Sequence, residues 1–161
     1  MVGESKLLDA VNDARRTFQK AMRQSPLNIE EGDFFEFQLY SDEWKISWEK
    51  GVRALDLVED IKNRGYFTTA IELCFYCMER FFEAWIMKKK RATAFRAQHG
   101  AVFDLSAEYG LISQKCAINL RTLWDNYRAS QYYRPYVPTH NTAEKMIYVA
   151  TIAKNFIEER L

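Results

Sequence analysis

Apolar residues recur every three or four positions along nearly the whole chain, and that period fits helices and not strands. The strongest stretch is Phe67 to Lys90. Phe67, Ala70, Ile71, Cys74, Cys77, Met78, Phe81, Trp85 and Ile86 follow a heptad-like spacing, and Phe75, Phe82 and Tyr76 widen the stripe. A helix apolar on so much of its circumference is covered on several sides, so this one is predicted to be central. Lys88, Lys89, Lys90 and Arg91 suit the negative end of its dipole.

The other segments arrange themselves around it. Glu4 to Gln24 carries Leu7, Leu8, Val11, Ala14, Phe18, Ala21 and Met22 on one face, and Ser25-Pro26 stops it. Ser41, followed by Asp42 and Glu43, reads as the N-cap of a helix that ends near Asn63-Arg64-Gly65. A shorter helix is predicted from about Thr93 to Tyr109, with Gly110 as a left-handed cap. Ser113 caps the next, to about Ser130, with Cys116, Leu120, Leu123, Trp124 and Tyr127 on one face. QYYRPYVPTHNT is a Pro-containing loop, and Asn141 or Thr142 caps a last helix to Arg160. The fold class is therefore all-α, an up-and-down bundle of four to five helices with an extra N-terminal helix.

Residues 27–43 interrupt the pattern with six acids, no Lys or Arg, and an interleaved Phe34, Phe35, Phe37, Leu39 and Tyr40. They read as a connector, which divides the chain into an N-terminal helical arm (1–40) and a main domain (41–161). This acidic stretch is expected to cover a basic surface. One candidate is the run Lys88 to Arg91 plus Arg96, five positive charges between residues 87 and 100 with no acid.

Composition removes several classes of function. The chain has 161 residues and 19.0 kDa, 48% of them hydrophobic, which is enough for one real core. Only 3 Pro and 6 Gly argue against collagen and turn-rich sandwiches. A net charge of +1 gives no global nucleic-acid signal. The longest greasy stretch, Ala70 to Met87, is broken by Glu72, Glu79, Arg80 and Glu83, so no membrane segment is expected. No secretory pattern opens the chain, and 3 cysteines make no disulfide framework, so a reduced, cytoplasmic protein is expected. Cys74-x-x-Cys77 has a metal-like spacing but sits inside an apolar stripe, where free Cys packs as a small hydrophobe. No cofactor and no metal is called for.

Four stretches together resemble the HEPN domain, a family of small helical bundles. WEKGVRALDLVEDIKNRGYFTTAIELCFYCMERFFEAWIMKKK is similar to its opening hairpin, with Gly65-Tyr66 at the turn and Ala70, Glu79 and Ala84 in the second helix. RAQHGAVFDL resembles its His-Gly segment, through His99-Gly100 and Phe103; DNYRASQYY resembles its Arg-containing helix end; and NTAEKMIYVATIAKNFIEERL resembles its closing helix. The resemblance spans residues 41–161. Active members carry an Arg, four to six residues and a His, and cleave RNA without metal. The His takes the 2′-hydroxyl proton and the Arg holds the scissile phosphate.

The resemblance places Arg128 at the family Arg, with Tyr133, Arg134 and Pro135 where the His belongs. Tyr, with a pKa of about 10, is a poor base at neutral pH, so the resemblance implies a branch without catalysis. Arg128, Tyr132, Tyr133, Arg134 and His99 are then the candidate ligand-binding residues. Tyr rings stack bases while Arg holds phosphates. The resemblance further implies a homodimer, a nucleotide or RNA ligand, and a minimal nucleotidyltransferase partner in a toxin–antitoxin-like setting. A second reading stays open. Arg134, five residues and His140 satisfy the active spacing, which would make the protein a metal-independent endoribonuclease with His140 as base and Arg134 or Arg128 as phosphate anchor. A third reading is a purely structural dimerisation protein.

Overall fold

The computed structural model describes residues 42–90, 100–125 and 138–161. The chain divides into two compact units, Met1–Leu39 and Tyr40–Leu161. The predicted arm helix, the acidic connector up to residue 41, and the stretches 91–99 and 126–137 lie outside the described residues. Among the described residues there are five helices and no strand: α1 (Glu43–Asn63), α2 (Phe67–Lys90), α3 (Ala101–Glu108), α4 (Gln114–Leu123) and α5 (His140–Glu158). The all-α bundle expected from the apolar period is what forms.

Helix α1 starts one residue later than Ser41 implied. Asp42 is its N-cap, in an extended conformation, and pairs through its side chain with Lys45 at 3.0 Å. Its far end closes as the basic-then-Gly sequence predicts. Gly65 takes φ +84°, the Gly65 amide donates to the Lys62 carbonyl at 2.8 Å, and the Tyr66 amide donates to the Ile61 carbonyl at 3.2 Å. That tight turn sends α2 back antiparallel to α1. Trp48 meets Phe81 with ring centroids 4.9 Å apart, and a Cβ on Gly51 would lie 2.6 Å from the Phe81 ring. A glycine is what lets the two backbones approach so closely.

Helix α2 is central, as its broad stripe implied. Ala70, Ile71, Cys74, Phe75, Cys77, Met78, Phe81, Phe82, Trp85 and Ile86 are all buried. Helix α5 covers it with Ala143, Met146, Ile147, Ala150, Ala153 and Ile157. The start of α5 lies by the α1–α2 turn, where His140 meets Phe67 and Glu144 meets Lys62, and Lys154 further along lies over Trp48 near the start of α1. Helix α5 therefore runs antiparallel to α1 and parallel to α2. The short pair α3–α4 completes the core through Phe103, which meets Phe82 edge to face at 5.3 Å.

Four local readings are corrected. Helix α3 begins at Ala101 with Gly100 as its N-cap, later than the predicted Thr93. In α4, Leu120, Leu123 and Trp124 pack on the core as predicted, but Cys116 is exposed and Ala117 takes its place on the inward face. Ser113 caps α4 as expected, its hydroxyl accepting from the Cys116 amide at 3.2 Å. The last helix is capped by Thr139, whose hydroxyl accepts from the Thr142 amide at 3.2 Å, and not by Asn141 or Thr142. His140 consequently opens α5 and is not part of a loop. Leu57, on α1, stands 56% exposed. No described helix is long and apolar enough to cross a membrane.

Candidate functional site

Of the predicted site residues, only His140 falls among the described ones; His99, Arg128, Tyr132, Tyr133 and Arg134 lie outside them. The described structure nonetheless builds two polar centres next to these positions.

The first lies at the α1–α2 turn. Thr139 fixes the start of α5, which places His140 on its first turn and Glu144 one turn further on the same face. His140 Nδ1 lies 3.6 Å from Glu144 Oε2, a charge contact longer than a hydrogen bond. Its ring packs edge to face on Phe67 at 5.7 Å. Glu144 Oε1 is 3.9 Å from Lys62 Nζ, which is also held by Glu59 at 2.7 Å. The result is an alternating row of His140, Glu144, Lys62 and Glu59, with Lys62 buried and His140 55% exposed at its side chain.

The second centre lies along one edge of α2. Glu79 is only 4% exposed, and its Oε1 accepts from the indole nitrogen of Trp124 at 2.7 Å. One turn on, Glu83 accepts from the Ser47 hydroxyl of α1 at 2.5 Å and pairs with Arg80 at 2.6 Å. The Arg80 guanidinium lies 5.5 Å from the Tyr76 ring centroid. Around Trp124, Arg121 binds Asp125 at 3.1 Å and lies 3.6 Å from Asp104. Gly100, at φ +84°, sits against this group; a Cβ there would be 3.2 Å from an Arg121 nitrogen and 3.4 Å from the Trp124 ring.

Gly100 is the residue after His99, and Asp125 comes three residues before Arg128. The chain neighbours of two predicted site residues therefore meet at one junction of α3, α4 and α2. His140 is not brought to that junction. Phe67, against which it packs, precedes Glu79 by twelve residues on α2, about 18 Å at the rise of an α-helix.

The cysteines behave as packing residues. Cys74 and Cys77 are fully buried. Burial, with a smaller contribution from Glu59, pushes the Cys74 thiol up to about 12, and burial first, then Cys74, raises Cys77 as well. Thiols so protonated are poor metal ligands and poor nucleophiles. Among the described residues, no group of three or more His, Cys, Asp or Glu side chains is placed to hold a metal ion. Lys88, read as part of an open basic run, instead lies 4.4 Å from the Trp44 ring centroid and donates to the Leu161 carbonyl.

Sequence reasoning missed Ser47, Glu83, Arg121 and Lys62 as members of these centres. The signal available was a polar side chain at an otherwise apolar register position: Glu79 and Glu83 stand one turn apart in the greasiest helix of the chain. No curated protein and no solved structure matches the chain. One family does match, over residues 2–161, and the chain belongs to it: the family described as Domain of unknown function (DUF8154).

Proposed function

We propose that this chain is a HEPN-like helical bundle acting in the cytoplasm as a non-catalytic binding module. Its ligand is a nucleotide or RNA, or a partner protein such as a minimal nucleotidyltransferase, and the working form is a homodimer. In this reading Arg128 and Arg134 hold a phosphate, Tyr132 and Tyr133 offer stacking faces or a hydroxyl, and His99 stands beside them. The observation that carries it is the junction where Gly100 touches Arg121 and Trp124, with Trp124 tied to buried Glu79. It anchors one end of each of the two segments that bear those residues, Gly100 following the first and Asp125 preceding the second. Tyr133, standing where the resemblance places the His, supports binding without catalysis, since a phenol with a pKa of about 10 is a poor base at neutral pH.

The metal-independent endoribonuclease reading keeps one observation in its favour: His140 is exposed on a helix start with Glu144 beside Nδ1. Fluorescence anisotropy with labelled single-stranded RNA, run with a cleavage assay in excess chelator, separates the two. A binding module holds RNA without cutting it. Arg128→Ala weakens that binding at least about tenfold, as loss of a charged phosphate contact should, and His140→Ala leaves it unchanged. Cleavage that survives chelator and disappears in both variants replaces the binding reading with the nuclease. Absence of any RNA or nucleotide binding overturns both nucleic-acid readings and leaves a module for a partner protein or the assembly protein.

A further inference from the structure

Helix α5 is apolar on two sides. Its inner face covers α2, while Tyr148 and Ile152, one turn apart on the outer face, are 66% and 49% exposed. Lys145, Asn155 and Glu159 are exposed as well, and with these two they form a stripe spaced at alternating three- and four-residue steps, the spacing of a helix–helix seam. A helix with a second seam facing water is short of a partner.

The charges on the stripe say which partner fits. Lys145 stands seven residues before Ile152 and Glu159 seven after it. An antiparallel copy of α5 pivoting on Ile152 therefore sets Ile152 against itself and Lys145 against Glu159 twice over. A parallel copy sets Lys145 against Lys145 and Glu159 against Glu159. Among the described residues Lys145 has no ion pair, and Glu159 pairs only with Arg160, at 3.4 Å. We infer that the outer face of α5 is a self-complementary interface with a second copy of this chain, the two α5 helices packing antiparallel about a twofold axis through Ile152. The contact is isologous, and the near-antiparallel crossing of coiled-coil packing keeps both charge pairs in reach.

The homodimer proposed above names no face; this inference assigns one and rests on that part of the reading. Sedimentation equilibrium of the full chain across a wide concentration range tests it, with circular dichroism to confirm that each variant stays helical. The wild type is expected to equilibrate between monomer and dimer. Lys145→Glu and Glu159→Lys should each weaken dimerisation by about tenfold, since each turns two attractive pairs into two repulsive ones. The double variant Lys145→Glu/Glu159→Lys restores the attraction and should return the wild-type constant. Ile152→Glu should yield monomer. A dimer indifferent to all of these variants overturns the α5 face while leaving the homodimer standing. A wild type monomeric throughout overturns both. A double variant that stays as dissociated as the singles overturns the antiparallel pairing.

Discussion

Replacing Gly51 by Ala sets two effects of opposite sign against each other. In an exposed helix interior the change stabilises by about 1 kcal/mol, because alanine loses less backbone freedom on folding. Here the new Cβ would lie 2.6 Å and 2.8 Å from two Phe81 ring carbons and 3.2 Å from the Arg80 Cβ. The ring has nowhere to go: Phe81 is fully buried, and its other neighbours include Trp48 at 4.9 Å between centroids. Forcing extra volume into a packed core costs about 1–3 kcal/mol, and a contact this short against a fixed ring belongs in the upper part of that range. The net expectation is a loss of about 1–2 kcal/mol, with the transition temperature falling by about 2–4 °C for each kcal/mol in a chain of this size. Urea unfolding followed by far-ultraviolet circular dichroism reads it as a lower midpoint at unchanged slope. Phe81→Leu in the same background should recover part of the loss, because the pair is coupled through one contact. A midpoint that rises in Gly51→Ala would refute the reasoning, since helix propensity alone would then be acting and α1 and α2 could not be as close as described.

Three further outcomes are expected alongside the RNA-binding and dimerisation tests. Trp124→Phe removes a hydrogen bond to the buried carboxylate of Glu79 and should cost about 1–2 kcal/mol; if it combines additively with Glu79→Gln, the two side chains do not interact. In the native protein a thiol reagent should label Cys116 quickly and leave Cys74 and Cys77 untouched, and mass spectrometry would show at once if a buried thiol reacted as fast. The Cys74 thiol is raised from 9.0 to about 12, so its contribution to stability is complete below pH 9 and is lost as pH climbs toward about 12, where the unfolded chain gives up that proton first. Cys74→Ala should therefore lose stability less steeply than the wild type over that alkaline window, and equal slopes would count against the burial argument.

The helices were legible because burial writes a period into the sequence. The α2 stripe named its buried residues almost completely, since a central helix has few positions that avoid the core. The ends were read less well. At the start of α5, Thr139, Asn141 and Thr142 all suit a cap, and only the backbone decides that Thr139 turns its hydroxyl to the Thr142 amide. In α4, Cys116 and Ala117 are adjacent and both small and apolar, so the pattern could not tell which one faces in. The candidate site divides along the same line. Glu79 stood out as an acid in an apolar helix, but its partner Trp124 is forty-five positions away and looked like one more core aromatic. Polar contacts between distant elements carry no period, so nothing in the spacing announces them.

The two carboxylates on α2 bear on how the bundle avoids assembling out of step. Apolar ridges at heptad-like spacing match almost as well after a slip of one turn, about 5.4 Å, because one large side chain replaces another. Glu79 and Glu83 do not permit that exchange. Glu83 is tied to Ser47 on one neighbouring helix and Glu79 to Trp124 on another, so a slip on either side breaks a hydrogen bond to an acid that is more than nine-tenths buried. Losing a hydrogen bond to a charged group costs about 1.5–3 kcal/mol, against very little for the mismatched hydrophobes. The core supplies adhesion with little sense of position, and two acids placed where water hardly reaches act as the notches that count the turns.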